Sequence, residues 1–331
     1  MIFHPVFYRL AGDVIFLERM KGMYYLFCAF SLAGTSVIAA RFLDENLGIF
    51  TITAVSLFFA LLCLLPLDWR ELVKTVRRLS LRDWILLSIQ ALFGVFLFRM
   101  FLLNGLLHTS AGKAGIITGA TPAVTVLLAM LLLKETVNRT ALLGIVSTVA
   151  GILLIQNLLA PGSISTFSIN HFAGNVLVLC AAVSESLFNI FSRIAVKTEA
   201  SHREPLHPIA QTTLVTAMAL TLCLIPAIFE QPVSTLFAID WKQWLALVWY
   251  GPFVTAIAFI FWYAGIKRCD AQTAAALSGM MPFSALLLSV IVLGERAGWQ
   301  QWSGGLLVIL GMILIGGNQP SELKADRAES F

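Results

Sequence analysis

Charged residues are scarce in this sequence. Of its 331 residues only 12% are Asp, Glu, Lys or Arg, whereas 59% are hydrophobic. Soluble domains carry about 25% charged residues, so this chain has too little polar surface to cover a water-soluble fold. The composition therefore predicts an integral membrane protein. No basic run is interleaved with aromatic residues, which sets aside a nucleic-acid-binding surface.

Cysteine and histidine patterns that would support chemistry are also lacking. Five Cys residues are present and none forms a CxxC pair, so neither a disulfide framework nor a zinc site is indicated. The five His residues lie near the N-terminus or in predicted loops, and none is paired with a carboxylate at helical spacing. A membrane-embedded enzyme needs an acid and base, an activated nucleophile or a metal cluster. We therefore expect no enzyme activity, no cofactor and no metal.

Long apolar segments dominate instead. A helix that spans a membrane needs about 20 mostly apolar residues. The sequence predicts an all-α protein with ten transmembrane helices, at approximately residues 22–42, 49–67, 83–106, 112–133, 140–158, 172–194, 208–229, 243–266, 271–293 and 299–317. Residues 1–21 are predicted to form a cytosolic N-terminal arm, with charges that do not fit a signal peptide. Residues 318–331 are predicted to form a disordered cytosolic tail.

The fourth of these segments occurs twice. Residues 114–135 read AGIITGATPAVTVLLAMLLLKE, and 160 positions later residues 274–295 read AAALSGMMPFSALLLSVIVLGE. The same offset aligns Cys63 with Cys223, Pro66 with Pro226, Trp84 with Trp244, Gly105 with Gly265, Pro122 with Pro282, Glu135 with Glu295, Gly144 with Gly304, and Gly151 with Gly311. A unit of five helices, residues 22–158, is therefore repeated as residues 171–317.

An odd number of spans in each unit makes the second unit cross the membrane in the opposite direction to the first. Transporters use such inverted repeats because inward-open and outward-open packings can interchange around one midplane site. Glu135 and Glu295 then lie on opposite sides of the membrane and cannot serve one site, so we expect them to have an architectural role at the membrane edge.

The distribution of Lys and Arg gives the orientation. With the N-terminus inside, only Arg41, Lys113, Lys242 and Arg296 lie outside, Arg99 lies within a span, and all the others lie inside. Cytoplasmic loops carry an excess of Lys and Arg. The sequence therefore predicts a multi-pass protein of the cell (inner) membrane with both termini in the cytoplasm.

These motifs resemble a known family. The stretch GLLHTSAGKAGIITGATPAVTVLLAMLLLKE and its second copy AGIKRCDAQTAAALSGMMPFSALLLSVIVLGE, each followed by two spaced glycines, are similar to the EamA-type repeat of the drug/metabolite transporter superfamily. The segment SESLFNIFSR, residues 184–193, is similar to the sixth span of that family. The resemblance covers about residues 22–317 and implies a ten-helix exporter or exchanger with a central cavity, without implying one substrate. Glu185 departs from the pattern, because the family usually has an apolar residue there.

Arg99 is the first candidate for a substrate-binding residue. It lies in the middle of the third span, where a charge costs about 2.5–3.5 kcal/mol on insertion scales. Its counterpart in the second repeat is Phe259. Glu185 in the sixth span is its expected partner, with Asn189 on the same helical face. The two charges can hold the carboxylate and ammonium of an amino acid, Glu185 can exchange protons, or the two can form a permanent ion pair.

Three further features complete the predicted site. Thr118 and Thr121 lie beside Pro122, and a proline removes a helical hydrogen bond and kinks the helix. The two hydroxyls can line a polar cavity or bond the backbone of their own helix. Pro122 and Pro282 are predicted hinges for gating. Trp262 can stack on a planar or cationic substrate, or it can belong to the interfacial aromatic belt.

The function predicted from these features is export of a small metabolite, such as an amino acid or organic anion, by alternating access around a midplane site. The expected partners are a small-molecule substrate and the lipid bilayer, with a homodimer as a possible assembly and no nucleic acid. Multidrug-type efflux of hydrophobic cations, attracted by Glu185 and the aromatic residues, is the alternative. A membrane-embedded structural or assembly protein is a second alternative.

Overall fold

The computed structural model describes residues 4–43, 47–133, 139–155, 169–199, 206–269, 274 and 277–316. Throughout this part of the chain the regular secondary structure is helical. The first half contains α1 (His4–Arg41), α2 (Ile49–Leu67), α3 (Trp69–Arg78), α4 (Leu81–Ala91), the π-helix π1 (Leu92–Leu97), α5 (Phe98–Leu106), α6 (Ala111–Thr118), α7 (Thr121–Leu133) and α8 (Arg139–Ile155). The second half contains α9 (Ile169–Glu199), α10 (Pro208–Ile228), α11 (Pro232–Ala238), α12 (Trp241–Val248), the π-helix π2 (Trp249–Ile257), α13 (Ala258–Ile266), α14 (Met280–Leu293) and α15 (Trp299–Gly316).

Seven helical segments of the described chain are long and apolar enough to cross a membrane. They are Leu17–Arg41, Ile49–Leu67, Leu81–Leu106, Ala111–Leu131, Asn170–Ser192, Pro208–Ile228 and Trp241–Ile266. Three shorter apolar helices, Arg139–Leu154, Met280–Leu293 and Trp299–Ile315, lie where the other three spans are predicted. The first helix runs unbroken from His4, so most of the predicted N-terminal arm continues directly into the first apolar segment. The predicted tail lies outside the described residues.

The bounds of the helices repeat at the offset found in the sequence. α5 and α13 cover equivalent residues, while α7 and α14, like α8 and α15, differ by one residue at one end. The π1 segment is equivalent to the last six residues of π2. Since π-helices are rare and short, their presence at the same place in both halves indicates that the repeat extends to details of the backbone.

The equivalent helices α8 and α15 cross at glycines. A Cβ atom added to Gly144 would lie 2.6 Å from the carbonyl oxygen of Gly311, and one added to Gly151 would lie 2.6 Å from that of Gly304. Glycine allows such close approach of two backbones. Gly304 is the counterpart of Gly144, and Gly311 is the counterpart of Gly151, so the two helices run antiparallel and each presents the same face to the other.

Two carboxylates from the second half bind helix N-termini in the first half. Glu295 accepts hydrogen bonds from the backbone N–H groups of Ala111 and Gly112, at 2.9 and 3.0 Å, where α6 begins. Glu230 binds the start of α2 in the same way, with oxygen to nitrogen distances of 2.7 and 3.2 Å. A helix N-terminus carries unpaired N–H groups and partial positive charge, so both carboxylates fasten the halves together. Glu135 lies outside the described residues.

The apolar segment around Pro122 is broken into α6 and α7. The N–H groups of Gly119 and Ala120, between the two helices, bond carbonyl oxygens three residues back at 3.0 and 2.9 Å. Pro122 therefore lies in the first turn of α7, where proline's missing N–H removes no hydrogen bond within α7 itself. Pro282 likewise lies in the first turn of α14. Instead of the predicted kink at each proline, the helix is interrupted just before it.

Candidate functional site

Arg99 is buried, with 5% of its surface exposed. Its guanidinium donates hydrogen bonds to the hydroxyl of Ser56 on α2, at 2.6 Å, and to the hydroxyl of Thr255 on π2. It also lies over the ring of Tyr250, with 4.2 Å from Cζ to the ring centroid, a cation–π arrangement. Within the part of the chain that the structure describes, no carboxylate lies within ion-pair distance of Arg99.

The local backbone explains how three separate elements meet at Arg99. Gly251 brings π2 against α2, since a Cβ atom there would collide with the carbonyl oxygen of Ser56. The hydroxyl of Thr255 donates to the carbonyl oxygen of Tyr250, five residues back, at 3.0 Å, and so its oxygen faces Arg99 as an acceptor. π-Helical turns are frequent at functional sites, and here one supplies both the hydroxyl and the ring that hold the charge.

These three partners of Arg99 were not predicted from the sequence. Ser56 and Tyr250 carry no distinguishing pattern, since each lies in a long apolar helix. Thr255 does carry a signal, because its counterpart in the first repeat is Val95. Arg99 and Thr255 are polar, whereas their counterparts in the other repeat are apolar. Such positions mark where the two halves differ chemically.

Glu185 belongs to a second polar cluster, between α9 and α7. Its carboxylate Oε2 lies 2.8 Å from the hydroxyl oxygen of Thr121. The hydroxyl of the neighbouring Ser186 lies 3.0 Å from the carbonyl oxygen of Thr121. A direct ion pair between Glu185 and Arg99, one of the three predicted alternatives, is not formed among the described residues. Each of the two charged groups is instead hydrogen-bonded to hydroxyl groups on other helices.

The two threonines predicted for the site have different environments. Thr118 is buried, and its hydroxyl donates to the carbonyl oxygen of Gly115 in its own helix at 2.8 Å. The hydroxyl oxygen of Thr121 lies 2.8 Å from the carbonyl oxygen of Thr118, as well as 2.8 Å from Glu185. This carbonyl is the group that would accept a helical hydrogen bond from residue 122 if that residue were not proline. Thr121 therefore connects the helix break to Glu185.

Trp262 is half-buried and packs on α9. Its ring centroid lies 5.4 Å from that of Phe188, and the ring of Phe259 lies 6.1 Å from Phe188. Phe188 follows Glu185 by three residues, so the rings share a helical face with the carboxylate. Asn189, one turn beyond Glu185, is half-buried and has no hydrogen-bond partner among the described residues.

The cluster around Arg99 and the cluster around Glu185 are connected by the contact between Phe259 and Phe188. Phe259 follows Thr255, the partner of Arg99, by four residues, and Phe188 follows Glu185 by three. A positive group and a negative group are thus separated by aromatic rings in the interior of the helices. Ligand sites are typically apolar with a few well-placed polar groups, and this arrangement fits a small molecule with both a charged group and an apolar part.

A cavity of about 440 Å³ lies elsewhere, where α1, α2 and α5 meet. Its lining includes Arg41, Gly48, Leu106 and Glu230, but neither Arg99 nor Glu185. The size is within the range of ligand pockets. Both charged residues of the lining are bonded to backbone, because Arg41 donates to the carbonyl oxygen of Leu106 at 2.7 Å and Glu230 binds the start of α2.

Comparison with known proteins identifies the family. The model of the EamA-like transporter family matches residues 20–156 and again residues 172–317. The chain belongs to the EamA-like transporter family. The resemblance found in the two sequence motifs is therefore confirmed, and this EamA-like protein is a multi-pass membrane transporter. Its family implies a small-molecule substrate and a lipid environment.

Relatives of the EamA-like chain span most of its length. The uncharacterized transporter YetK of Bacillus subtilis is 28% identical over 304 residues, which are 92% of this chain and 89% of YetK. The aromatic amino acid exporter YddG of Ancylobacter novellus is 28% identical over 234 residues, 71% of this chain and 75% of that protein. One solved crystal structure superposes with a TM-score of 0.59 at 21% identity, covering 94% of this chain and 99% of the other. The last likeness shows the fold alone.

Proposed function

We propose that this EamA-like transporter exports a small metabolite with a carboxylate group, such as an amino acid or an organic anion. The observation that carries the proposal is the environment of Arg99. A buried arginine within a membrane span normally pairs with an acidic group or with backbone carbonyl oxygens. Among the described residues Arg99 has hydroxyl groups and a tyrosine ring as partners instead. Its positive charge is therefore available to an anionic substrate.

The chemistry of the guanidinium suits this role. It carries five N–H donors, of which the described contacts to Ser56 and Thr255 use two. The remaining donors can bind a carboxylate through two parallel hydrogen bonds. Tyr250 covers one face of the guanidinium plane, so the substrate's carboxylate binds at its edge.

The presence of Glu185 favours an amino acid over a simple organic anion as the substrate. Its carboxylate and the amide oxygen of Asn189, which has no hydrogen-bond partner among the described residues, provide acceptors for an ammonium group, and the hydroxyl of Thr121 is beside the carboxylate. Trp262 and the two phenylalanines offer an apolar surface for a side chain. The relative YddG is named an aromatic amino acid exporter, which favours the same class of substrate.

Alternating access of ten helices in two inverted repeats is the mechanism that we propose. The antiparallel crossing of α8 and α15 at equivalent glycines supports the inversion. The interruptions before Pro122 and Pro282 give each half one place where a helix can bend, so each half can gate one side of the membrane. The excess of Lys and Arg in alternate loops favours an orientation with both termini in the cytoplasm.

Efflux of hydrophobic cations is the second candidate function. The aromatic cluster beside Glu185 favours it, because aromatic faces and a carboxylate together attract a cation that also has apolar surface. Removal of the guanidinium separates the two functions. Export of anions and amino acids needs Arg99, whereas export of hydrophobic cations does not.

Comparative metabolite profiling of cells and their medium tests the proposal. Wild type, Arg99→Ala and Arg296→Ala are expressed at matched levels, Arg296 being an exposed arginine outside the site. We expect a carboxylate-containing compound to accumulate in the medium of wild type and Arg296→Ala cells, and not of Arg99→Ala cells. Equal accumulation with all three removes Arg99 from the site. Absence of any exported compound contradicts the export function and favours a structural or assembly role.

A further inference from the structure

The hydroxyl of Thr121 has two hydrogen-bond acceptors and one proton. Its oxygen lies 2.8 Å from the carbonyl oxygen of Thr118 and 2.8 Å from Oε2 of Glu185. A hydroxyl donates one hydrogen bond and a carbonyl oxygen donates none. Each short contact can be a full two-centre hydrogen bond at the same time only when the Glu185 carboxyl carries a proton and donates it towards Thr121; otherwise the two acceptors share one proton.

The ionised carboxylate produces a different arrangement. A carboxylate is a stronger acceptor than a peptide carbonyl, so the hydroxyl of Thr121 then turns to Glu185. The carbonyl of Thr118 loses this donor, and Pro122, four residues on, has no N–H to replace it. Thr118 is 1% exposed, so solvent does not supply the missing hydrogen bond. The carbonyl oxygen of Thr118 can then find a new hydrogen-bond donor only if the backbone between α6 and α7 changes conformation.

We propose that Thr121 is a positioning residue that couples the protonation of Glu185 to the conformation of the break between α6 and α7. When the carboxylate takes up a proton, it donates to Thr121, and Thr121 donates to the carbonyl of Thr118. When the proton leaves to the aqueous side, the hydroxyl turns to the carboxylate and the carbonyl is released. This inference rests on the proposed alternating access, and it assigns the coupling ion as a proton.

The described surroundings of Glu185 leave this hydroxyl as its closest polar contact. α9 packs against α4, π1, α5, α6 and α7, and its aromatic face meets α13. The charged and titratable groups that these helices and α9 itself carry in the described chain are Arg82, Asp83, Arg99, Lys113, His171, Cys180 and Tyr263. None of them is within hydrogen-bonding distance of Glu185, and α7 and π1 carry no such group over their described side chains.

The symmetry-related pair of residues lacks the device. The counterpart of Thr121 in the second repeat is Met281, and the counterpart of Glu185 in the first repeat is Tyr25. A methionine has no proton to share between two acceptors, so the break before Pro282 cannot respond in this way. Protonation therefore affects the break before Pro122 and not the break before Pro282.

Infrared difference spectroscopy of the full chain in lipid nanodiscs tests the coupling without any substrate. Spectra are recorded as the pH is lowered, and the carbonyl band of a protonated carboxylic acid is followed. We expect this band in wild type and its loss in Glu185→Gln. In Thr121→Val the band moves to higher frequency, because the carboxylic acid no longer donates to a hydroxyl. Thr121→Ser restores the wild-type position.

Thr125→Val is the matched control. Its hydroxyl bonds the backbone of its own helix, at 2.7 Å from the carbonyl oxygen of Thr121, and has no hydrogen bond to Glu185 in the described structure. The band is expected at the wild-type position in this variant. A band unchanged in Thr121→Val overturns the inference, as does a band that survives in Glu185→Gln. If the valine variant does not fold, Thr121→Ala provides the same comparison.

A transport assay separates this inference from the proposed function. Proteoliposomes are loaded with radiolabelled L-amino acids, and exchange and efflux are measured with and without an imposed pH gradient. The readout is the ratio of the rates with and without the gradient in each variant, whatever its basal rate. We expect this ratio to exceed one in wild type and Thr121→Ser and to equal one in Thr121→Val. Equal stimulation of Thr121→Val overturns the coupling. Absence of exchange in wild type contradicts the proposed amino acid substrate, while the infrared spectra still decide the coupling.

Discussion

Arg99 donates a hydrogen bond to Thr255, and the two residues lie in equivalent segments of the two repeats, Leu81–Leu106 and Trp241–Ile266. Their counterparts in the opposite repeat are Phe259 and Val95. The bond therefore has no copy on the other side of the pseudo-symmetric molecule. The two repeats therefore share one helical scaffold, but only one side of it carries this charged contact. Such chemical asymmetry suits the binding of an asymmetric substrate.

Thr255→Val should weaken transport and stability together. The substitution keeps the shape of the side chain but removes an acceptor from a buried guanidinium, and leaving a buried donor unsatisfied costs about 1–3 kcal/mol. Thermal unfolding of the detergent-solubilised protein measures the stability. The control is Thr213→Val, since that hydroxyl bonds the backbone of its own helix at 2.7 Å. Equal losses in the two variants would show that the contact with Arg99 has no special weight.

Gly144→Ala should destabilise the crossing of α8 and α15. A Cβ atom there would lie 2.6 Å from the carbonyl oxygen of Gly311, so the helices must separate, and overpacking of this kind costs about 1–3 kcal/mol. Gly305→Ala in α15 is the control, because its Cβ would meet no atom closer than 3.6 Å. Loss of monodisperse protein on heating, followed by fluorescence-detected size exclusion, distinguishes them. A Gly144→Ala variant as stable as Gly305→Ala would contradict the close crossing.

Glu295→Gln should loosen the attachment of α6 to the second half. A carboxylate at a helix N-terminus stabilises by about 0.3–1 kcal/mol, and up to about 2 kcal/mol where it is partly buried. The amide keeps the shape and loses the charge. Glu71→Gln serves as control, because Glu71 forms a surface pair with Lys74 at 3.2 Å, and such pairs contribute about 0–1 kcal/mol. A midpoint of thermal unfolding that falls no further in Glu295→Gln than in the control would refute the role.

Trp262→Ala should lower the affinity for substrates with an aromatic or large apolar part. Aromatic pairs contribute about 0.5–1.5 kcal/mol beyond burial, which corresponds to an increase of about two- to tenfold in KM. Trp299→Ala is the control, since Trp299 is 65% exposed at the start of α15. Uptake kinetics in proteoliposomes provide the measurement. An unchanged KM for such substrates would move Trp262 out of the site and into the interfacial belt.

Sequence reasoning identified the features that follow from composition and periodicity. The apolar segments, the repeat at a fixed offset and the architectural role of Glu295 could be predicted because they rest on hydrophobicity, on matching residues at one offset and on the odd number of spans in each repeat. The sequence predicted a change of helix direction at Pro122, and the structure has one at that place. It is a break between two helices and not a kink within one helix, since proline fits best in a first turn. Those predictions needed no knowledge of which helices are neighbours.

The contacts between helices could not be predicted in the same way. The partners of Arg99 depend on the π-helical turn at Thr255 and on the approach permitted by Gly251, and neither has a pattern that one sequence reveals. Charge alone suggested a bond between Arg99 and Glu185, but packing gives each of them hydroxyl partners from other helices. Thr121 was predicted as a lining residue, and its position between the helix break and Glu185 required the arrangement of α7 against α9.

Efflux from proteoliposomes containing the purified protein tests the central claim most directly, namely that Arg99 holds the anionic group of an exported substrate. The substrate is the compound identified by profiling, and wild type is compared with Arg99→Ala, Arg99→Lys and Arg296→Ala. Loss of one charge-assisted contact worth about 1.4 kcal/mol reduces a rate or affinity about tenfold. We expect Arg99→Ala to lose at least this much, Arg99→Lys to keep part of the activity, and Arg296→Ala to match wild type. Efflux by Arg99→Ala at the wild-type rate would contradict the claim.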